Sequence, residues 1–322
     1  AEPEPTWTFQ ATGDVEATAA IADGRVFVPT LEGTLHALEL ASGAELWTYR
    51  TEFEIKSSPL VLDGRVYFGD EGGTLHALAA GDGSRIWSFS AEAAITSSIN
   101  HGDGCLVFGS YDGYIYCVEA DSGELRWKVE TQGYVHGTPA VIGDRVVSAG
   151  CDGYLRVVAL SSGEVLQEIS VDGYVGASPA VVDGRAYVGS FENEVLAVDL
   201  EAARIAWRYR PDRKFPFYSS AAVGDDLVVV GGRDKRLHAL HRESGETAWS
   251  YTTRSRIDSS PVIVDERVFV GTDAGALLAL DLETGEEAWR FDTGSGFAAS
   301  PAVVPGRLVI ATIEGLVICF AG

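Results

Sequence analysis

The chain has 322 residues, 46% of them hydrophobic, and carries 47 Asp and Glu against 24 Lys and Arg, a formal net charge of −23. Such a length accommodates two average domains or one large β architecture, with apolar residues enough for a substantial core. A surface this acidic argues against wholesale binding to nucleic acid or anionic membrane, which needs cationic surface, and no apolar run reaches the roughly 18–20 residues of a membrane-spanning helix.

The chain opens AEPEPT (1–6), acidic, Pro-rich and without an initiator Met. It reads as a linker leading into a processed export product or an excised domain, which points outside the cytoplasm. TWTF (6–9) is a short strand, and from there the chain repeats itself. Tryptophans stand at 7, 47, 87, 127, 207, 249 and 289, in steps of 40, 40, 40, 80, 42 and 40, and Gln167 occupies the slot in the middle of the 80. Eight registers result, and a period of this length governs the fold. Within one unit, SSPLVLDGRVYFGDEGGTLHALAAGDGSRIWSF (57–89), the turn signals DG, EGG and GDG separate four short apolar segments. Four strands of about five residues joined by tight turns make an antiparallel meander. Inner strands are expected to begin near Ala17, Ser57, Ser97, Gly137, Ala177, Ser219, Ser259 and Ala299.

One such sheet cannot cover both of its faces, whereas eight stacked radially can. The expected fold is therefore a single-domain, all-β, eight-bladed β-propeller over residues 1–322. The Trp of each outer strand is expected to wedge between neighbouring sheets. In SSGEVLQEIS (161–170) Gln167 leaves that wedge unfilled, unless Tyr134 or Tyr174 occupies the space, and a Trp introduced there is expected to be tolerated or mildly stabilising. After SPAVVPGRLVIATIEGLVICFAG (300–322) the chain stops one strand short of a blade, so TWTF should supply the outer strand of the last one and leave no open edge.

Ala279-x-Asp281-x-x-Thr284-Gly285-x-x-x-Trp289 matches the tryptophan-docking motif of PQQ-type repeats, with weaker copies at Ala37–Trp47 and Ala239–Trp249; at 197–207 the turn residues are Ala202-Ala203 instead. No Trp is followed by Asp, which disfavours WD repeats. The chain thus resembles the PQQ-like propeller superfamily, which contains quinoprotein dehydrogenases, the outer-membrane assembly lipoprotein BamB and extracellular domains of receptor kinases. The enzymes carry long inserted loops, an adjacent cysteine pair on the quinone, and carboxylate and amide ligands for calcium. Here no two cysteines are adjacent, and the only departure from the period is two residues long. The resemblance therefore implies a compact, non-catalytic ring in the BamB or sensor style, without cofactor. The rival is a small quinoprotein oxidoreductase using PQQ and calcium.

His36, His76 and His238 share one register in three different blades, so they cannot converge on a metal. Cys105, Cys117, Cys151 and Cys319 fit no CxxC metal pattern and no dense disulfide framework; they read as buried free thiols. Loops entering the inner strands and loops between the second and third strands share one face of the ring. At its channel mouth the residue before each inner strand varies: Glu16, Lys56, Thr96, His136, Gly176, Tyr218, Asp258 and Ala298. Residues 204–256 hold eleven Lys and Arg against six Asp and Glu, +5, while the rest of the chain carries −28. The two extra residues of the 42-residue step fall in RYRPDRKFPFYSS (208–220). This loop offers Arg213, Lys214, Phe215, Phe217 and Tyr218, with Arg233, Lys235, Arg236, Arg254 and Arg256 expected beside it. Aromatic and Arg side chains are the usual anchors of an interface. The expected partner is a protein, engaged through an acidic segment, in the cell envelope or outside it.

Overall fold

The Asp-Gly pairs fold each unit back on itself. Asp23 and Gly24 take φ of 49° and 71°, and Asp63 and Gly64 48° and 72°, the doubly left-handed geometry of a two-residue hairpin whose twist matches its strands. In the computed structural model, which describes residues 3–322, the first blade runs through strands Ala20–Ala22, Arg25–Pro29, Thr34–Glu39 and Glu45–Arg50. Six further blades repeat this order. The eighth takes Ala302–Val304, Arg307–Ala311 and Leu316–Ala321 from the C-terminus, and its outer strand is Glu4–Gln10. Trp7 stands opposite Cys319 and Gln10 opposite Leu316 in that antiparallel pairing. The ring is an eight-bladed propeller closed by its N-terminal strand. No helix among the described residues is long and apolar enough to cross a membrane.

The innermost strands are shorter than expected and start about three residues later, at Ala20, Leu60, Asn100 and their equivalents. The preceding residues are held by a bond set that the Ser/Thr register 18, 58, 98, 138, 178, 220, 260 and 300 carries in plain sight. The amide of Thr18 donates to the Ser58 hydroxyl at 3.1 Å, Ser58 to Ser98 and Ser98 to Thr138 at 3.0 Å, and Thr138 to Ser178 at 2.9 Å. The circle continues through Ser220, Ser260 and Ser300, whose amide returns to the Thr18 hydroxyl at 3.1 Å. An inner edge that has no neighbouring strand is thereby satisfied by side chains, one bond per blade. Ser98→Ala removes the acceptor of the Ser58 amide and is expected to cost about 1 kcal/mol. Faster hydrogen exchange at Ser58 in that variant, with Ser98→Thr unchanged, is the check.

The core is a ring of eight layers between blades rather than one central mass. Each layer is pinned by an apolar residue from the loop entering the inner strand: Val15, Ile55, Ile95, Val135, Val175, Phe217, Ile257 and Phe297 are all at most 1% exposed. The tryptophans staple these layers. The Trp7 indole N–H donates to the Leu40 carbonyl of the next blade at 2.8 Å, and Trp47, Trp87, Trp127, Trp207 and Trp249 repeat the bond. Their rings lie on a glycine of the next blade's last turn: a Cβ at Gly43 would stand 2.6 Å from the Trp7 ring, and at Gly245 2.6 Å from Trp207. The motif's Ala stands opposite the Trp in the ladder, as Ala279 does opposite Trp289. Its Asp stiffens the turn, Asp281 accepting the amides of Glu283 and Thr284, which holds that carboxyl below its ordinary range.

The slot at Gln167 differs in a way the sequence reading missed. The turn residue facing that slot by register is Ala203, with φ of 50°, where the other turns have Gly. Its Cβ occupies the place where a Trp ring would lie, so Gln167 and Ala203 are a matched pair and the wedge is not simply vacant. Tyr134 and Tyr174 do not fill it either; they are 58% and 56% exposed on the face of the entry loops.

The cysteines need correction as well. Cys105 and Cys117, both fully buried in blade three, form a disulfide with Cα atoms 5.6 Å apart, while Cys151 and Cys319 are free. Residues 105 and 117 flank the turn at 110–113 on adjacent antiparallel strands, with Val107 opposite Cys117. That hairpin makes them diagonal neighbours, within reach of a bridge.

Candidate functional site

The face built by the entry loops and by the turns between second and third strands carries both predicted groups of residues. Around the channel mouth, Glu16, His136 and Tyr218 are exposed, Lys56, Asp258 and Ala298 half-buried, and Thr96 and Gly176 buried. His136 stands within the ring wall, its Nδ1 2.8 Å from the Tyr111 hydroxyl and 3.3 Å from the Thr96 hydroxyl. Although one edge of the ring is open to solvent at the mouth, the packed protein around it desolvates the imidazole, which pushes its pKa down and favours the neutral form. Tyr111 stacks on Tyr134 with centroids 5.0 Å apart. Lys56 is paired with Glu54 at 3.0 Å and Glu71 at 3.4 Å.

The second group divides into spent and available charges. Arg233 donates to both oxygens of Asp258 at 2.8 Å and lies 3.6 Å above the Tyr218 ring, which in turn packs on Phe191. The hydrogen bond to Asp258 holds the guanidinium pKa above its ordinary value. Arg256 is shared between Asp258 at 3.4 Å and Asp273 at 3.3 Å. Arg233, Asp258, Arg256, Asp273 and Tyr218 therefore form one internally neutralised network that stiffens the mouth. By contrast Lys214, Lys235 and Arg254 are exposed and Arg236 is half-buried, and none has an acidic partner within 4 Å among the described residues. Arg213 is exposed too, and among the described residues it donates only to the Asp234 carbonyl, at 3.2 Å.

Phe217 does not belong to this surface. It is 1% exposed and packs with Val228 and Val230 in the layer between blades five and six. Its amide bonds to the Ser190 carbonyl as that of Ile55 does to Thr30, because the extra pair of residues is absorbed earlier in the loop. Phe215 is the aromatic that turns outward, 48% exposed, with its amide fixed by the Asn193 side chain at 2.9 Å.

Beneath this loop lies a feature that composition did not reveal. Glu194 is 4% exposed, yet its carboxylate accepts from both Arg208 (2.8 Å) and Arg210, and Arg208 also reaches Asp172 at 2.6 Å. Two of the eleven cations of the 204–256 stretch are thus consumed in holding the loop base. Only the fold brings Glu194 under the guanidinium groups, 14 and 16 residues away in sequence. The three histidines remain apart, each with its own partners: His76 with Asp70 at 2.8 Å, His238 with Asp234 at 3.1 Å and His36 with Glu45 at 3.1 Å. Among the described residues no three His, Cys, Asp or Glu side chains converge as a metal site.

Solved structures share this architecture. BamB from Moraxella catarrhalis superposes with a TM-score of 0.86 at 18% identity, covering 99% of this chain and all of that one. The computationally designed Ika8 protein gives 0.86 at 19% identity, with 97% and 98% covered. Quinohemoprotein alcohol dehydrogenase from Comamonas testosteroni gives 0.81 at 15% identity, covering 99% of this chain and 76% of that one. At these identities the likeness is one of fold. No curated protein matches the chain significantly in sequence. The family model described as outer membrane protein assembly factor BamB matches residues 4–104, 71–162, 111–221 and 213–321 in overlapping windows. With its repeats, closure and docking turns accounted for along nearly the whole length, the chain belongs to the BamB family of PQQ-type β-propellers.

Proposed function

We propose that the chain is a non-catalytic protein-binding module of an extracytoplasmic compartment, docking a partner through the sector around Phe215. The observation that carries this reading is the outward Phe215 beside the cations Arg213 and Lys214, unpaired with any acid among the described residues, on the one loop that departs from the repeat, with Lys235 on the adjacent turn of blade six. Pro211 and Pro216 restrict the loop, and the Asn193 bond fixes it, so little ordering entropy is lost on docking. An acidic partner segment suits these charges, and family membership supports a protein as partner. The Cys105–Cys117 disulfide suits an oxidising compartment.

The quinoprotein reading rests on a likeness of fold, and fold does not carry activity. The residues do not fit the group: the paired cysteines lie twelve apart and fully buried inside a blade. Of the carboxylates around the mouth, Glu71 and Asp258 are engaged by Lys56, Arg233 and Arg256, which leaves Glu16 without a second free carboxylate among these to share a calcium ion.

The test replaces Lys214→Glu, Phe215→Ala and Lys235→Glu together, leaving the buried Phe217 intact. The variant is expected to keep its melting temperature and to lose, by at least about tenfold in affinity, a partner captured by the parent from host envelope extracts. Full retention of the partner removes this sector as the docking site. Dye-linked alcohol oxidation on adding PQQ and calcium would instead favour the enzyme.

A further inference from the structure

The face that carries Phe215 is electrically two-sided. The net basic sector lies at the junction of blades five and six, where, among the described residues, Lys214, Lys235, Arg236 and Arg254 are unpaired and outnumber the exposed Asp212 and Glu192. Four blade steps away, half of an eight-step circle, lies the junction of blades one and two. There Glu32 and Glu52 are exposed with no basic partner within 4 Å among the described residues, Glu16 and Glu92 extend the same sign to either side, and Glu54 and Glu71 share one lysine. Each sector has an outward phenyl ring at its centre. Phe53 is 51% exposed and lies across Gly72, where a Cβ would stand 2.2 Å from its ring; Phe215 is 48% exposed and held by Asn193.

Opposite charges at opposite ends of one diameter make this face complementary to itself. Turning a second copy over about an axis in the plane of the face, perpendicular to that diameter, sets its acidic sector on the basic sector of the first, and the reverse. The contact is then isologous, closed and formed twice. We propose that this face binds a second copy of the same chain, the Phe215 sector of one docking on the Phe53 sector of the other. The inference rests on the docking reading above and names its occupant. An acidic segment of another protein would compete for the same cations. The net charge of −23 repels the copies at long range, but at 0.15 M salt that field is screened beyond about 8 Å, while charges in contact across the face are closer than that.

The experiment is sedimentation of the full chain at about 0.15 M and about 1 M salt. The parent is expected to dimerise at the lower salt and to dissociate at the higher. Glu32→Lys with Glu52→Lys reverses the unpaired charges of the acidic sector, and Lys214→Glu with Lys235→Glu reverses two of the unpaired charges of the basic one. Each variant alone is expected to dimerise at least about tenfold more weakly, and an equimolar mixture of the two to associate to within about threefold of the parent. Restoration on mixing is a result that damage to folding cannot produce. A parent that stays monomeric to about 1 mM, or a mixture no tighter than its components, overturns the inference. If the parent is monomeric yet the Lys214/Phe215/Lys235 variant loses a host partner, self-docking fails and the docking reading stands; if that variant keeps the partner, the docking reading fails with it.

Discussion

Removing residues 1–12 is expected to lower stability by at least about 5 kcal/mol and to drive the protein into oligomers or aggregates. The segment supplies the whole outer strand of the eighth blade. Its loss strips the ladder from Glu4 to Gln10 against Leu316–Ala321, leaving that strand as an unpaired edge. It also removes the Trp7 bond to Leu40, the Gln10 bond to the Glu314 carbonyl at 2.8 Å and the Thr6 bond to the Cys319 carbonyl at 3.1 Å. Trp7 further leaves Ala19, Val26 and Leu38 of blade one without their cover. The two ends of the ring are then joined only through the inner part of the seam: the Ser300–Thr18 bond of the hydroxyl circle, the Val15 amide bond to the Ile313 carbonyl at 3.0 Å, and the apolar layer of Val15, Val26 and Leu38 against Val309 and Val317. Chemical denaturation with sedimentation measures both effects. A truncated chain that unfolds at the parent's midpoint and remains monomeric would show that these inner contacts close the ring without the N-terminal strand.

The second large effect concerns the tryptophan staples. Trp207→Gln is expected to cost about 3 kcal/mol, since a ring only 8% exposed is replaced by a smaller polar group and the bond to the Arg242 carbonyl is lost. The reverse change at the odd blade is not simply favourable. Gln167→Trp alone is expected to cost about 1–2 kcal/mol, because the incoming ring meets the Ala203 Cβ. Ala203→Gly alone should gain up to about 1 kcal/mol by relieving a left-handed Ala. Together the two changes should rebuild the staple, with a coupling of at least about 1 kcal/mol in a double-mutant cycle. Simple additivity in urea denaturation would refute the matched pair and with it the docking of each Trp on the facing glycine.

Much of this architecture is legible in the chain because the repeat is written in hydrophobic and turn residues. Forty-residue spacing, DG and GG turns and the Ala–Asp–Thr–Gly–Trp pattern each act locally, so strand order, blade number and the use of TWTF for closure follow from them. The hydroxyl circle was equally present in the Ser/Thr register at 18, 58, 98 and onward, but its meaning depends on contacts between blades 40 residues apart. The Cys105–Cys117 bridge was hidden for a related reason. Its spacing reads as a disulfide only once the hairpin between the two strands is in register.

The candidate site was legible only as a stretch of charge and aromatics. Sequence alone determined that residues 204–256 are basic in an acidic chain and that the loop at 208–220 breaks the period, because composition and spacing are properties of the chain itself. Tertiary structure decided which of those residues face outward. Phe217 enters the core because the inter-blade layer needs an apolar side chain at that register, as it takes Ile55 and Ile257 elsewhere. Arg208, Arg210, Arg233 and Arg256 are spent on Glu194, Asp172, Asp258 and Asp273 because burying or crowding a charge is tolerable only with a counter-charge at hand. The charges left over, and their place across the ring from the glutamates around Phe53, follow from eightfold closure, which no local stretch of sequence contains.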